Sequence, residues 1–158
     1  MVKVEGTTTF DAHPDRVWSV LTRPEAMAKT TPGIERLEVH DAEHWTAHVR
    51  IRVGPVKIGA AVACELAEKR EPEFARLVAA GEGPGGGLHM ETSFHLVPAD
   101  TETRMSWVAD VRLIGRGARV GERLLRPLLD RHVAKVMASF QEQVAAEKAA
   151  AGGVSSGE

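Results

Sequence analysis

Two apolar periods divide this chain, and few folds satisfy both. Between Leu37 and Leu113 apolar residues recur at every second position; from Leu125 to Val144 they recur three or four apart. The first spacing belongs to half-buried strands and the second to an amphipathic helix. A sheet with one apolar face must be covered, and the C-terminal helix is the only element large enough to do so. The chain therefore reads as α+β, a curved antiparallel sheet gripping a long C-terminal helix.

Within that frame, Val2, Val4, Gly6, Thr8 and Phe10 alternate with polar residues as a first strand. Pro14 suits the first turn of a helix that buries Val17, Trp18 and Leu21, and Arg23-Pro24 ends it. A second short helix over about Pro24 to Lys29 stops before Pro32-Gly33. About six strands follow. The clearest carries Trp45, Ala47, Val49, Ile51 and Val53 against Thr46, His48, Arg50 and Arg52. Gly54-Pro55 turns into the next, with Val56, Ile58, Ala60, Val62, Cys64 and Leu66 on one side. A weaker strand near Phe74–Ala80 precedes two marked by Met90, Phe94 and Leu96 and by Met105, Trp107, Ala109, Val111 and Leu113. Pro127 lies inside the helical pattern, so either the main helix starts there or one begun near Gly117 kinks.

At 158 residues the chain is one ordinary domain. We expect that domain over residues 1–148, and a flexible tail over the Ala-, Gly- and Ser-rich 149–158. The net charge of −2 gives no overall basic field for a nucleic-acid partner. No apolar run approaches the length of a membrane-spanning helix, and the N-terminus has no signal-peptide core. Cys64, the one cysteine, cannot form an internal disulfide. The expected location is the cytoplasm.

Residues Gly81-Glu82-Gly83-Pro84-Gly85-Gly86 fit G-x-G-x-x-G in letters only. A dinucleotide site needs that run to open a helix, whereas strand-period residues follow it, so a glycine-rich hairpin is expected. His40, His44 and His48 would stack on a helix, but the segment reads as a hairpin, which scatters them into solvent. His89, Glu91 and His95 share the strand face opposite Met90, Phe94 and Leu96. Cys64 lies on an apolar face with no cation nearby, as a small buried hydrophobe does. No metal site is expected.

The inward strand positions, from Trp45 to Leu113, include no Asp, Glu, His, Lys or Arg. General acid–base catalysis needs such a group beside the substrate. Two readings fit: a packed core, or an apolar cavity able to bind a lipophilic molecule but not to transform it. Several inward alanines and the single covering helix favour the cavity. Its expected lining is Trp45, Ala47, Val49, Met90, Phe94 and Met105, with Trp107, Ala109, Leu129, Val133, Met137 and Phe140. Pro32, Gly33, Gly54 and Pro55 would form its mouth. An enzyme would need a polar residue reaching the interior that these strand phases miss, for example Thr92, His89 or Glu91 after a one-residue slip.

From Arg112 to Lys135 seven basic residues accompany two acidic ones, with leucines among them. Arg116, Arg119, Arg123 and Arg126 could rest on an anionic membrane or an acidic partner. They could equally be a solvated helix face with arginine stems over leucines.

Phe10-Asp11, Pro14, Val17-Trp18, Leu21 and Pro32-Gly33-Ile34 resemble the opening of the carbon monoxide dehydrogenase G-subunit family. Val53-Gly54-Pro55-Val56 and the Gly81, Gly83 and Gly87 stretch match its middle. Thr103 to Trp107, Asp110-Val111, Gly115 and Gly121-Glu122-Arg123-Leu124-Leu125 match its end. The likeness covers about residues 1–145, and Thr31 stands where the family often has Cys. The resemblance implies a START-like (SRPBCC) helix-grip fold with about six or seven strands, two short helices after the first, and an internal hydrophobic cavity. It further implies a non-catalytic accessory of a molybdenum hydroxylase that aids membrane attachment and handles a lipophilic quinone. On it we expect no catalytic residues and no cofactor beyond a bound menaquinone or other lipid. The expected partners are that ligand, the hydroxylase and peripheral contact at the inner membrane face. START-like enzymes of the polyketide cyclase or aromatase kind, and a pure docking protein with a dry core, are the alternatives.

Overall fold

The computed structural model describes residues 2–30, 33–53, 55–83, 86–115 and 121–156. Strand β1 (Val2–Phe10) leads into two short helices, α1 (Pro14–Thr22) and α2 (Pro24–Thr30). Six strands follow: β2 (Ile34–Asp41), β3 (His44–Val53), β4 (Val56–Arg70), β5 (Phe74–Gly83), β6 (Gly86–Ala99) and β7 (Glu102–Gly115). Helix α3 (Glu122–Ser156) follows β7. The strands form one antiparallel sheet in the order β1-β7-β6-β5-β4-β3-β2. The meander β2 to β7 is thus closed by a non-local step, in which Val2 pairs with Val111 and Phe10 with Thr103.

Local chemistry explains the helix ends. Pro14 occupies the first turn of α1, and Arg23, forced out of the helical region by the proline after it, is extended at φ −88° and ψ 122°. Helix α3 starts on Gly121, whose carbonyl accepts from the Leu124 and Leu125 amides at 3.2 and 3.0 Å. It then passes through Pro127, so its start lies five residues before that proline rather than at it. The helix runs on to Ser156, through Ala149, Ala150 and Ala151, which extend a helix at little cost.

The glycine-rich run is a β5–β6 hairpin, with Gly83 paired to Gly86; Pro84 and Gly85 lie outside the described residues. A Cβ on Gly81 would run into the Ala61 carbonyl oxygen, and one on Gly87 into the Gly81 carbonyl. These glycines let neighbouring strands close up in a coiled sheet, so their requirement is packing and not phosphate.

Helix α3 lies along β1 and against α1 and α2. Gln141 donates to the Thr9 carbonyl at 2.8 Å and Arg126 to the Lys3 carbonyl at 3.0 Å, tying the helix to that edge strand. Lys148 meets Asp11 at 3.1 Å, and Arg23 of α1's end meets Glu147. The largest apolar cluster gathers Phe10, Trp18, Trp45, Phe94, Met105 and Phe140 where α1, α3 and the sheet converge. Trp18 and Phe94 meet edge to face at 5.9 Å.

Candidate functional site

The register assigns the inner face of the sheet without ambiguity. Trp45 stands opposite Cys64, Ala47 opposite Val62, and Val49 opposite Ala60. Met90 stands opposite Val111, Phe94 opposite Trp107 and Leu96 opposite Met105. Residues paired across strands project to the same side, so all of these share the face that the helices cover.

The interior holds three apolar clusters. The first, described above, takes in Trp45, Phe94, Met105 and Phe140, with Met137 packed on it. A second joins Val2, Val4, Ala109, Leu113 and Leu125, with Leu129 and Val133 against it. The third consists of Ala60, Val62 and Ala79 on β4 and β5, with Val49 and Met90 beside it; among the described residues no helix side chain belongs to it. Three half-buried side chains link the clusters. Trp107 touches the first and second, Cys64 the first and third, and Leu88 the second and third.

The expected lining residues divide accordingly. Trp45, Ala47, Phe94, Met105, Ala109 and Phe140 are buried. Val49, Met90, Trp107, Leu129, Val133 and Met137 remain partly accessible, although each lies on the inner face or on the packed side of α3. Apolar side chains on both layers thus keep accessible surface. Of the expected mouth, Gly33 adopts φ 96° and its carbonyl accepts from the Arg50 amide at 2.8 Å, while Pro55 is exposed in the β3–β4 turn. Pro32 and Gly54 lie outside the described residues. An open cleft of about 560 Å³ lies elsewhere, between Arg23, Lys29, Ser139, Glu142, Gln143 and Glu147. Its walls mix these polar side chains with Ala146 and Ala150, and none of the expected lining belongs to it.

Polar groups are few on the inner face. Thr103 is fully buried and donates to the Ala12 carbonyl at 2.6 Å. Thr8 accepts from Trp107 Nε1 at 3.4 Å. Thr92 stands between Leu77 on β5 and Ala109 on β7, so it faces inward with no slip of register. His89 and Glu91, by contrast, lie on the outer face, where Glu91 pairs with Arg76 at 2.6 Å. On α3, His132 is half-buried, one turn from Leu128 and Val136, which both pack on core clusters. Burial, and secondarily the charge of Lys135, hold its imidazole below the ordinary 6.5. Strand phases could not reveal this residue; its place in the 128–132–136 helical spacing could have.

The hairpin histidines scatter as expected. His40 contacts Thr46 at 2.8 Å, His44 sits between Asp41 and Glu65, and His48 meets Glu38 at 3.0 Å. Hydrogen bonds to Asp41 first, and Glu65 second, raise the His44 imidazole above 6.5. Among the described residues no three His, Cys, Asp or Glu side chains are grouped to hold a metal ion. Burial pushes the Cys64 thiol up to about 11, which removes it as a nucleophile. Arg123 is exposed and Arg126 is held by the Lys3 carbonyl; Arg116 and Arg119 lie outside the described residues.

A curved seven-stranded sheet wrapped on a long C-terminal helix, with two short helices after the first strand, is the START-like helix-grip class. Solved structures share it. A conserved protein from Geobacillus kaustophilus superposes with a TM-score of 0.83 at 23% identity, covering 91% of this chain and 95% of that one. A START superfamily protein from Mycobacterium smegmatis gives 0.67 at 15% identity, covering 90% and 96%. The Zhui aromatase/cyclase from Streptomyces sp. R1128 gives 0.67 at 17%, covering 90% and 93%. At these identities the likeness is one of fold. A search of curated proteins finds no significant match. The profile of the carbon monoxide dehydrogenase G-subunit (CoxG) family matches residues 6–145, and the chain belongs to that family. No helix among the described residues is long and apolar enough to cross a membrane.

Proposed function

We propose that this protein binds a lipophilic small molecule, a quinone such as menaquinone or another prenyl lipid, between the inner sheet face and α3. One observation carries the reading. Apolar side chains of both layers, Val49, Met90 and Trp107 on the sheet and Leu129, Val133 and Met137 on the helix, keep accessible surface although they lie on the inner face or on the packed side of α3. An apolar ligand entering there would gain roughly 25 cal/mol for each Å² removed from water, before the costs of association. The family supports a further step: the protein acts as a non-catalytic accessory of a carbon monoxide dehydrogenase-type molybdenum hydroxylase, aiding its coupling to quinone or membrane. Native mass spectrometry of gently purified protein, with solvent extraction of what accompanies it, tests the binding. A stoichiometric quinone or lipid supports it. An empty protein whose mass is unchanged after incubation with menaquinone analogues would sink it.

A START-like enzyme of the aromatase/cyclase kind is the second reading, and His132 is the observation that favours it. Kept neutral near pH 7 beside the apolar interior, an imidazole there could exchange a proton with a bound substrate. Conversion of a linear polyketide analogue, abolished by His132→Ala, would favour the enzyme over the carrier.

A further inference from the structure

We propose, on the reading that an apolar molecule sits between the sheet and α3, that the molecule carries a hydrogen-bond-accepting oxygen of the carbonyl type and that Thr92 is its anchor. Thr8, Thr92 and Thr103 all project from the inner face. Thr103 donates to the Ala12 carbonyl, and Thr8 accepts from Trp107 Nε1. The Thr92 hydroxyl bonds to no group among the described residues, and every fully buried polar side-chain atom among them has a partner. Its oxygen therefore keeps accessible surface.

The surroundings make that hydroxyl conspicuous. Leu77 and Ala109 flank it across the sheet, and Met90 and Phe94 flank it along β6. A valine has the same shape and the same preference for strands, and would leave no polar group on an apolar wall. A hydroxyl donates one hydrogen bond and accepts two, so here it offers them to whatever fills the interior. An aliphatic ligand would leave the hydroxyl unsatisfied, whereas a carbonyl directed at β6 would accept its hydrogen bond.

The test uses two probes of equal size, 2-acetylnaphthalene and 2-ethylnaphthalene, which differ in a carbonyl for a methylene. Affinities are measured by fluorescence titration for the unmodified protein, Thr92→Val and Thr92→Ser. We expect Thr92→Val to weaken the ketone about three- to tenfold while the hydrocarbon changes by less than about twofold. Thr92→Ser, which keeps the hydroxyl, should retain most of the preference. An unchanged ketone-to-hydrocarbon ratio in Thr92→Val overturns the anchor while leaving the binding reading intact. Failure of both probes to bind the unmodified protein overturns the binding reading, and the anchor with it.

Discussion

The indole of Trp107 lies across Gly6. The two residues are partners in the β1–β7 register, and a Cβ built on Gly6 would stand 2.9 Å from the Trp107 ring. The ring's Nε1 reaches along the same strand to Thr8 Oγ1 at 3.4 Å. Trp107 is thereby laid flat against β1, where it joins the cluster under α1 to the cluster under the start of α3. Gly6→Ala should lift the ring toward the interior. We expect a loss of about 1–3 kcal/mol in denaturant unfolding, as for other overpacked sites, and a shift in tryptophan emission. Unchanged emission and stability would show that the ring is not held by this contact.

Ala47 is buried between Leu37 and Val62, and Ala109 between Val4 and Thr92. Replacing either by Phe places a ring in the space that a ligand would fill. Uptake of an apolar fluorescent probe should be lost in both, with stability changed by under about 1 kcal/mol. A packed interior would instead cost about 1–3 kcal/mol or more and leave no uptake to lose. Full uptake in both variants would place the ligand elsewhere.

His132 and His44 titrate in opposite directions. The folded pKa of His132 is depressed, so the unfolded chain takes up the proton first, and stability falls as the pH drops from about 6.5 through the depressed value. The folded pKa of His44 is raised, so its contribution is present below about 6.5 and fades as the pH rises through the raised value. Unfolding midpoints between about pH 5 and 7.5 should therefore lose part of their acid-side slope in His132→Gln. An NMR titration placing His132 at or above His44 would contradict the packing described for α3.

Cys64 hydrogen-bonds weakly through its thiol to the Val62 carbonyl at 3.6 Å and is half-buried between two apolar clusters. With the thiol pushed up to about 11, native protein at pH 8 should react with a thiol reagent far more slowly than unfolded protein. Equal rates would mean that the inner face opens to solvent readily.

The basic segment supports one further measurement. Changing Arg116, Arg119, Arg123 and Arg126 together to Gln should reduce sedimentation with anionic vesicles and leave neutral vesicles unaffected, with binding weakened by salt. No vesicle binding by the unmodified protein would rule out a membrane role for these arginines. Arg126 also donates to the Lys3 carbonyl, so a small loss of stability should accompany its replacement.

Much of the architecture was legible because side-chain chemistry alternates with backbone geometry. The run Trp45-Ala47-Val49 against Thr46-His48-Arg50 announces both a strand and which face is buried, and the register bears this out. The same period placed His89 and Glu91 outside, and exposed the glycine-rich run as a hairpin. Helical spacing announced Leu125, Phe140 and Val144, all buried. Thr92 shares the parity of Met90 and Phe94, but that it faces inward was settled by the β5–β6–β7 register, and its lack of a partner depends on what the neighbouring strands present.

What the sequence determined by itself is local and periodic: element type, the apolar face of each element, the breaks at Arg23-Pro24 and Gly54-Pro55, and the absence of charge from the inner strand positions. Those follow from backbone period and solvation, which act residue by residue. Tertiary structure alone decided that β1 pairs with β7, that Trp107 lies on Gly6, and that His132 is half-buried. It also decided that Thr103 and Thr8 find partners where Thr92 does not. Each depends on groups distant in the chain meeting at close range, and no local period encodes which distant group arrives.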